Sequence, residues 1–185
     1  MGSNGIPRRP VDVPTGEIGG LTFTPSGNRL LVSHGDALQV YDVRHPDRPR
    51  RISSFDPGVI GPGQVIVAPG GRTAFVLGGD SADVAKLDLR KGRVLARRTV
   101  AAFDGQGGIA LSPDGSRLVM LEGLRGSDQR SVFVLDRRLH LLQRLTGPCY
   151  PNAVTVSLGG PTLGTFYVGD TGICGRRARL TPYLH

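Results

Sequence analysis

Three residues with oxygen-bearing side chains lie shortly before apolar runs at separated points of the chain: Glu17, Asp104 and Asn152. Carboxylate and amide oxygens are the hard ligands that Ca²⁺ and Mg²⁺ prefer in proteins. A cation held there could polarise an ester or lactone carbonyl and lower the pKa of a bound water. These three residues are therefore the candidate metal ligands, provided that the fold brings them together.

A second set of polar residues follows a later apolar run in each part of the chain: His34, Asp36, Asp80, Glu122 and Asp170. They are candidates for a binding face. Plain turn chemistry is the favoured interpretation of the three aspartates, because Asp tolerates left-handed backbone and bonds its own backbone. Further aspartates end other apolar runs, and we expect their carboxylates to accept backbone N–H groups of the following turns: Asp42, Asp88 and Asp136.

Other catalytic or metal-binding patterns are weak. Cys149 and Cys174 lie 25 residues apart with no His at ligand spacing, so they predict no zinc site. They form either one disulfide or two buried thiols. The sequence has no GxSxG, Walker or HExxH motif, and it identifies no catalytic residue.

Composition limits the class of protein. The length of 185 residues predicts one domain. The sequence contains no run of 18 apolar residues, so we expect no membrane-spanning helix. The net charge is +8, but the basic residues, all arginine except Lys86 and Lys91, are scattered, and aromatic residues are few. We therefore expect solvated arginines and no nucleic-acid binding. The first ten residues have no apolar core, so we expect no signal peptide, and the compartment stays open between cytoplasm and export.

An internal repeat organises these residues. Pro-x-Gly turns recur every 44 residues, at Pro25, Pro69 and Pro113, and a fourth copy begins at Ser157. In each copy an apolar run meets this turn, whose Gly supplies left-handed backbone, and a second apolar run follows. A third run ends in Asp in the first three copies, and a weaker fourth run carries Arg. Four strands per copy, joined by hairpin-length turns, predict an all-β fold made of β-propeller blades.

The copies predict one propeller domain over 9–185 after a disordered tail at 1–8. The inner strands of each blade would be buried between neighbouring blades, whereas the fourth strand would be an exposed edge whose charges discourage edge-to-edge pairing. The third strand of the last blade is weak, at 175–181. The blades would cover roughly 17–60, 61–104, 105–148, and 149–185 completed by 9–16.

Four blades form either a small closed ring or an arc of a larger propeller, and the sequence favours neither. In a ring, the connections between blades and the turns between second and third strands surround one mouth of the central channel. Glu17, Asp104 and Asn152 would converge there. In an arc, a second copy would complete the ring as a homodimer, or the missing blades would lie in a longer chain.

The repeat phrases resemble known propeller families. SPDGSRLVM with VFVLD in the third copy is similar to YVTN repeats, and TFYVGDTG in the fourth is similar to YVTN and NHL repeats. The resemblance covers roughly residues 10–172. It implies relatives that include lactonase-like hydrolases, cofactor-carrying dehydrogenase subunits and binding scaffolds. Glu17-Ile-Gly-Gly and Asn152-Ala-Val-Thr resemble inner-strand starts of gluconolactonase-type propellers, which carry Glu, Asn and Asp at the channel mouth.

The sequence thus predicts a non-catalytic propeller module that presents a loop face to a protein or small ligand. The alternative is a hydrolase of lactonase or esterase type that uses Ca²⁺ or Mg²⁺ at Glu17, Asp104 and Asn152. The fold alone does not decide between them, because one fold hosts many functions.

Overall fold

A computed structural model describes residues 17–79, 81, 83–100, 107–122, 130–147, 151–156, 165–170 and 180–183 of the chain. Within these residues every regular element is a β-strand. No helical segment there has the length and hydrophobicity that a bilayer crossing needs. The strands, numbered in chain order, are β1 Ile18–Phe23, β2 Arg29–His34, β3 Ala37–Asp42, β4 Arg50–Phe55, β5 Pro62–Val67, β6 Thr73–Gly78, β7 Asp83–Asp88, β8 Arg93–Thr99, β9 Ile109–Leu111, β10 Arg117–Leu121, β11 Arg130–Asp136, β12 Leu141–Gly147, β13 Pro151–Val156, β14 Phe166–Asp170 and β15 Leu180–Tyr183.

The strands form four antiparallel sheets in which chain neighbours pair in order. Sheet 1 is β1–β4, sheet 2 is β5–β8, sheet 3 is β9–β12 and sheet 4 is β13–β15. The fourth strands β4, β8 and β12 are mostly exposed, which confirms their prediction as outer edges. The third strand of sheet 4 begins at Leu180, later than the predicted segment 175–181.

Each sheet packs against the next through alternating apolar side chains. Because successive side chains of a strand point to opposite faces, a strand between two sheets must be apolar on both. In β10, Leu118 and Met120 pack toward sheet 2, whereas Val119 and Leu121 pack toward sheet 4. The continuous hydrophobic runs of the inner strands follow from this double burial.

The inner strands approach each other most closely where they lack side chains. A Cβ at Gly20 in β1 would lie 2.8 Å from the carbonyl oxygen of Gly63 in β5, so only glycine fits there. The Ser33 hydroxyl also donates a hydrogen bond of 2.5 Å to this carbonyl. β1, β5, β9 and β13 therefore stand side by side in chain order, which is the arrangement of propeller blades.

Sheet 1 leaves one apolar face open, contrary to the expectation that every inner strand is buried between blades. Gly20 faces sheet 2, so the alternation turns Leu21 and Phe23 to the other face, where they are 59% and 58% exposed. β5 covers the face of β1 that carries Gly20. No described strand covers the opposite face, which carries Leu21 and Phe23. The four sheets therefore form an arc.

The tail 1–8 and the closing segment 9–16 lie outside the described residues, so the blade boundaries stay predictions.

Candidate functional site

The sheets present two edges with different chemistry. The connection edge carries the starts of the inner strands and the ends of the second strands. The turn edge carries the turns within the pairs β1–β2, β3–β4, β5–β6, β7–β8, β9–β10 and β11–β12. Antiparallel pairing alone fixes this division, because the strand ends that share a turn lie at the same end of the sheet.

On the connection edge, sheet 1 brings together three of the residues singled out in the sequence. The carbonyl of Glu17 accepts a hydrogen bond of 3.4 Å from the N–H of Gly35, which places Glu17 beside the β2–β3 turn that carries Asp36. Glu17 and Asp36 are exposed. His34 is only 6% exposed, and its buried Nε2 has no hydrogen-bond partner. This corner carries two exposed carboxylates and a buried imidazole.

Glu122 lies at the same edge of sheet 3 and forms hydrogen bonds within the β10–β11 hairpin. Its Oε2 accepts the N–H of Ser131 at 2.7 Å, and its own N–H donates to the Ser131 carbonyl at 3.0 Å. These two bonds extend the β10–β11 pairing by one residue beyond the strand. The carboxylate is therefore occupied within the protein.

Two further predicted residues, Asn152 and Asp170, lie in sheet 4. Asn152 is the second residue of β13 and lies within a register shift, and Asp170 pairs with Pro151, so both backbones lie at the connection edge. Within the described ranges no three His, Cys, Asp or Glu residues are grouped so that they could hold a metal ion. Four predicted positions lie outside the described residues: Asp80, Asp104, Cys149 and Cys174.

The turn edge is built from three copies of one turn. Glycine at the last turn position has positive φ in each copy, at 70°, 68° and 71°, and its N–H donates a 2.8 Å bond back across the turn. This confirms the turn predicted from Pro-x-Gly. The turns also stack, since a Cβ at Gly71 would lie 3.7 Å from Pro25 and one at Gly115 would lie 3.1 Å from Pro69. The three glycines are Gly27, Gly71 and Gly115.

The strand-final aspartates act as predicted. Each carboxylate Oδ1 accepts the backbone N–H of the arginine two residues later, at 3.1, 2.9 and 2.7 Å. In the second copy, the N–H groups of Lys91 and Arg90 hold the pKa of the aspartate below its usual range. In the third, burial opposes the N–H groups of His140 and Arg138, which nevertheless lower the pKa. The three residues are Asp42, Asp88 and Asp136.

In sheet 1 the same carboxylate also fixes a guanidinium. Arg44 donates from Nε and Nη2 to Asp42, with a shortest distance of 2.5 Å. These side-chain bonds, with the Arg44 N–H, lower the pKa of Asp42 to about 2. Arg29 and Arg50 flank Asp42 on the neighbouring strands. Among the described residues no hydrogen bond or ion pair joins Arg29 or Arg50 to a carboxylate.

These arginines line an open groove of about 760 Å³ between sheets 1 and 2, which we name the first groove. It is lined by the β1–β2 and β5–β6 turns and by residues at the end of β3 and in β4, with Ile52 as an apolar contact. Asp42 is the only acidic residue among those that line it. The full lining is Thr24, Pro25, Ser26, Asn28, Arg29, Asp42, Arg44, Arg50, Ile52, Pro69, Gly70 and Gly71.

A second groove of about 200 Å³ lies between sheets 2 and 3. Its cations are Lys86 and Arg137, whose main-chain carbonyl accepts a 2.6 Å bond from Lys86 Nζ. Burial and the nearby Arg137 charge lower the pKa of Lys86. Pro69 and Gly70 line both grooves. We name the two grooves together, with the shared turn between them, the basic track.

Sequence reasoning missed this track. The sequence predicts solvated arginines, because a single sequence does not reveal which of them face the turn of the next sheet. One local signal was present: Asp-x-Arg recurs at the end of the third strand in three copies, and the structure uses it to fix Arg44.

Comparisons with known proteins support the fold. No protein-family model and no curated protein matches the chain. It is similar in structure to a hydrazine synthase chain from Kuenenia stuttgartiensis, with TM-score 0.67 and 17% identity over 90% of this chain and 54% of that one. It is also similar to a putative 6-phosphogluconolactonase from Bacteroides uniformis, with TM-score 0.65 and 19% identity over 92% of this chain and 55% of that one. The chain thus spans about half the length of these structures, and it shares their propeller-type fold.

Proposed function

We propose that the chain is a non-catalytic β-propeller binding module that holds a protein or small ligand at the first groove. The observation that carries this proposal is the groove itself, a cavity of about 760 Å³ at the turn edge whose wall carries Arg29 and Arg50, two arginines that form no ion pair with another described residue. Guanidinium groups stay protonated, so they bind anions but do not serve as general bases or metal ligands. Such a surface supports recognition rather than bond cleavage.

Rigid turns also favour a binding role. The hydrogen bonds inside each Pro-x-Gly turn and the contacts between stacked turns hold the groove walls before any ligand arrives. A surface ordered in advance spares the ligand the entropy cost of ordering it. The connection edge, with Asp36 exposed and with Asp80 and Asp170 predicted beside it, is the second candidate surface of the same module.

Membership of the YVTN or NHL repeat families is part of this proposal, as are the predicted blades. Its support is the repeat phrases together with the propeller-type fold. The proposal also includes assembly as a homodimer. Two copies of the chain would have about the length of one of the similar solved structures. The open face with Leu21 and Phe23 is the surface through which they would meet. A mass of twice 19.6 kDa by light scattering supports this assembly, and a monomer excludes it.

The alternative is a metal-dependent lactonase. Two observations favour it as the second candidate. The solved structure from Bacteroides uniformis bears the name of a putative lactonase. Glu17 and Asn152 also lie at the connection edge of their sheets, where a Ca²⁺ or Mg²⁺ ion would need them.

One set of measurements separates the two. The melting temperature is recorded with Ca²⁺, Mg²⁺ or no metal, and lactone hydrolysis is followed under the same conditions. We expect no metal-dependent rise and no hydrolysis. A rise in melting temperature that is lost in Asn152→Ala and kept in Asn28→Ala, together with hydrolysis, overturns the binding module in favour of the enzyme. Asn28 is the matched control because it lies at the opposite edge, in the first groove.

A further inference from the structure

We infer that the basic track binds an extended acidic segment of a partner protein, along the turn edge from sheet 1 to sheet 3. The inference rests on the proposed function, since it names the ligand class that such a module would take.

The track is long enough to need an extended ligand. The two grooves are not separate pits, because Pro69 and Gly70 form the lip of both. A ligand that leaves the first groove across this turn enters the second one directly. An extended peptide advances ~3.3 Å per residue, so one segment can follow this line without folding.

The charge of the track selects an acidic ligand. Arg29, Arg50 and Arg137 are exposed, and no ion pair within the described residues neutralises them. The two carboxylates on the track are already engaged. Asp42 binds Arg44, and Asp114 accepts bonds from the Ser112 hydroxyl at 2.6 Å and the Ser116 N–H at 3.0 Å. The positive charge is therefore left for a ligand.

The second groove adds a partly buried cation. Lys86 Nζ lies 5.7 Å from the Phe75 ring centroid and donates a hydrogen bond to the main-chain carbonyl of Arg137, whose positive charge acts on the ammonium. Two like charges held together are disfavoured until an anion approaches both. A carboxylate at this position would relieve that repulsion.

The walls favour a peptide over a nucleic acid. Pro25, Pro69 and Ile52 give the first groove apolar contacts, which suit the aliphatic side chains of a peptide. Single-stranded nucleic acids instead need exposed aromatic rings for base stacking. Phe75 is the aromatic residue that the track contains, and it is only 1% exposed. An acidic peptide with interspersed aliphatic residues fits both features.

The test is fluorescence anisotropy with a labelled peptide of about 12 residues that alternates Glu and Leu, about 40 Å when extended. We expect binding that weakens as NaCl is raised, because salt screens exposed charges. Arg29→Gln/Arg50→Gln and Lys86→Gln/Arg137→Gln should each raise the Kd roughly tenfold. The control Arg51→Gln/Arg90→Gln removes the same charge outside both grooves and should change the Kd less than about twofold. Circular dichroism melts confirm that each variant is folded.

Each other outcome overturns the inference. No peptide binding, or equal losses in the control, excludes the track as a peptide site. Loss only with the first pair indicates a small anion in the first groove, and competition by inorganic phosphate then identifies it. Tighter binding of an oligothymidine of equal charge favours nucleic acid. If the peptide does not bind, and metal has no effect and no lactone is hydrolysed, the acidic-peptide inference is wrong but the proposed binding function is not contradicted. Metal-dependent lactone hydrolysis would contradict the proposed binding function itself.

Discussion

The backbone N–H of Ile109 in β9 donates a 2.8 Å hydrogen bond to the side-chain Oε1 of Gln64 in β5. This bond joins the inner strands of sheets 2 and 3, and Ile109 is only 1% exposed. β9 pairs with β10 on one side only, and the Ile109 N–H lies on the other side, where no described strand pairs with β9. A side chain thus replaces a strand at the junction between two sheets.

Gln64→Ala should therefore destabilise the fold, because it leaves a buried N–H without an acceptor at a cost of about 1–3 kcal/mol. Urea unfolding followed by circular dichroism measures this loss. The matched control is Gln143→Ala on the exposed outer strand β12, which should cost less than about 0.5 kcal/mol. Equal losses in the two variants would mean that the bond between the sheets contributes nothing.

The positive-φ glycines offer a second comparison within one turn. At Gly71, φ is 68° and an added Cβ would make an ordinary contact with Pro25, so Gly71→Ala should cost about 1 kcal/mol of backbone strain alone. Gly70 has open space and no positive φ, so Gly70→Ala should be close to neutral. Thermal unfolding of both variants tests this difference. A neutral Gly71→Ala would contradict the assigned turn conformation.

Leu139 adopts the left-handed backbone that glycine normally supplies. Its φ is 69°, and its side chain is only 2% exposed in the apolar cluster between sheets 2 and 3. Packing of the side chain there opposes the strain of the backbone. Leu139→Ala should therefore lose about 2–4 kcal/mol in urea unfolding, because it leaves a cavity and keeps the strain.

The control for this variant is Leu141→Ala two residues later. That side chain is 38% exposed on β12, so its removal should cost less than about 1 kcal/mol. If Leu139→Ala is as mild as Leu141→Ala, the left-handed turn does not depend on the buried side chain.

Acid should weaken the third Pro-x-Gly turn through Asp114. The hydroxyl of Ser112, with the N–H of Ser116, lowers the pKa of Asp114 to about 2. A lowered pKa in the folded state means that the carboxylate stabilises the fold above its unfolded pKa of about 3.9. This stabilisation is lost as the pH falls from about 4 to about 2. Asp114→Asn should be less stable at pH 5 and should lose less stability on acidification, as chemical unfolding at several pH values measures.

Parallel curves for the wild-type protein and Asp114→Asn between pH 5 and pH 2 would contradict this account. They would indicate that the hydrogen bonds of the turn do not depend on the charge of Asp114.

The sequence predicts local chemistry better than contacts between sheets. Glycine at positive φ and aspartate as an acceptor of turn N–H groups are set within a few residues, so Gly71 and Asp42 were predictable. Strand alternation is local as well. It does not reveal whether a neighbouring sheet exists on each side, so the exposure of Leu21 and Phe23 was not predicted.

The candidate site shows the same limit. Arg29 and Arg50 are separated by 21 residues in sequence, and the turn that completes their groove, at Pro69, belongs to the next repeat. The charge composition of the sequence does not show which arginines lie in a common groove. Only the packing of sheet 1 on sheet 2 gives them a shared cavity. Leu139 is a similar case, because nothing in its sequence neighbours marks a left-handed leucine.

Amide hydrogen exchange with and without the Glu-Leu peptide tests the central claim most directly, because it locates the binding surface on one of the two edges. The account predicts slower exchange on peptide addition in residues 24–29, 69–71 and 114–117 at the turn edge, and no change at 34–37. Slower exchange at 34–37 with no change at the turn edge would contradict it, and would place the binding surface on the connection edge instead.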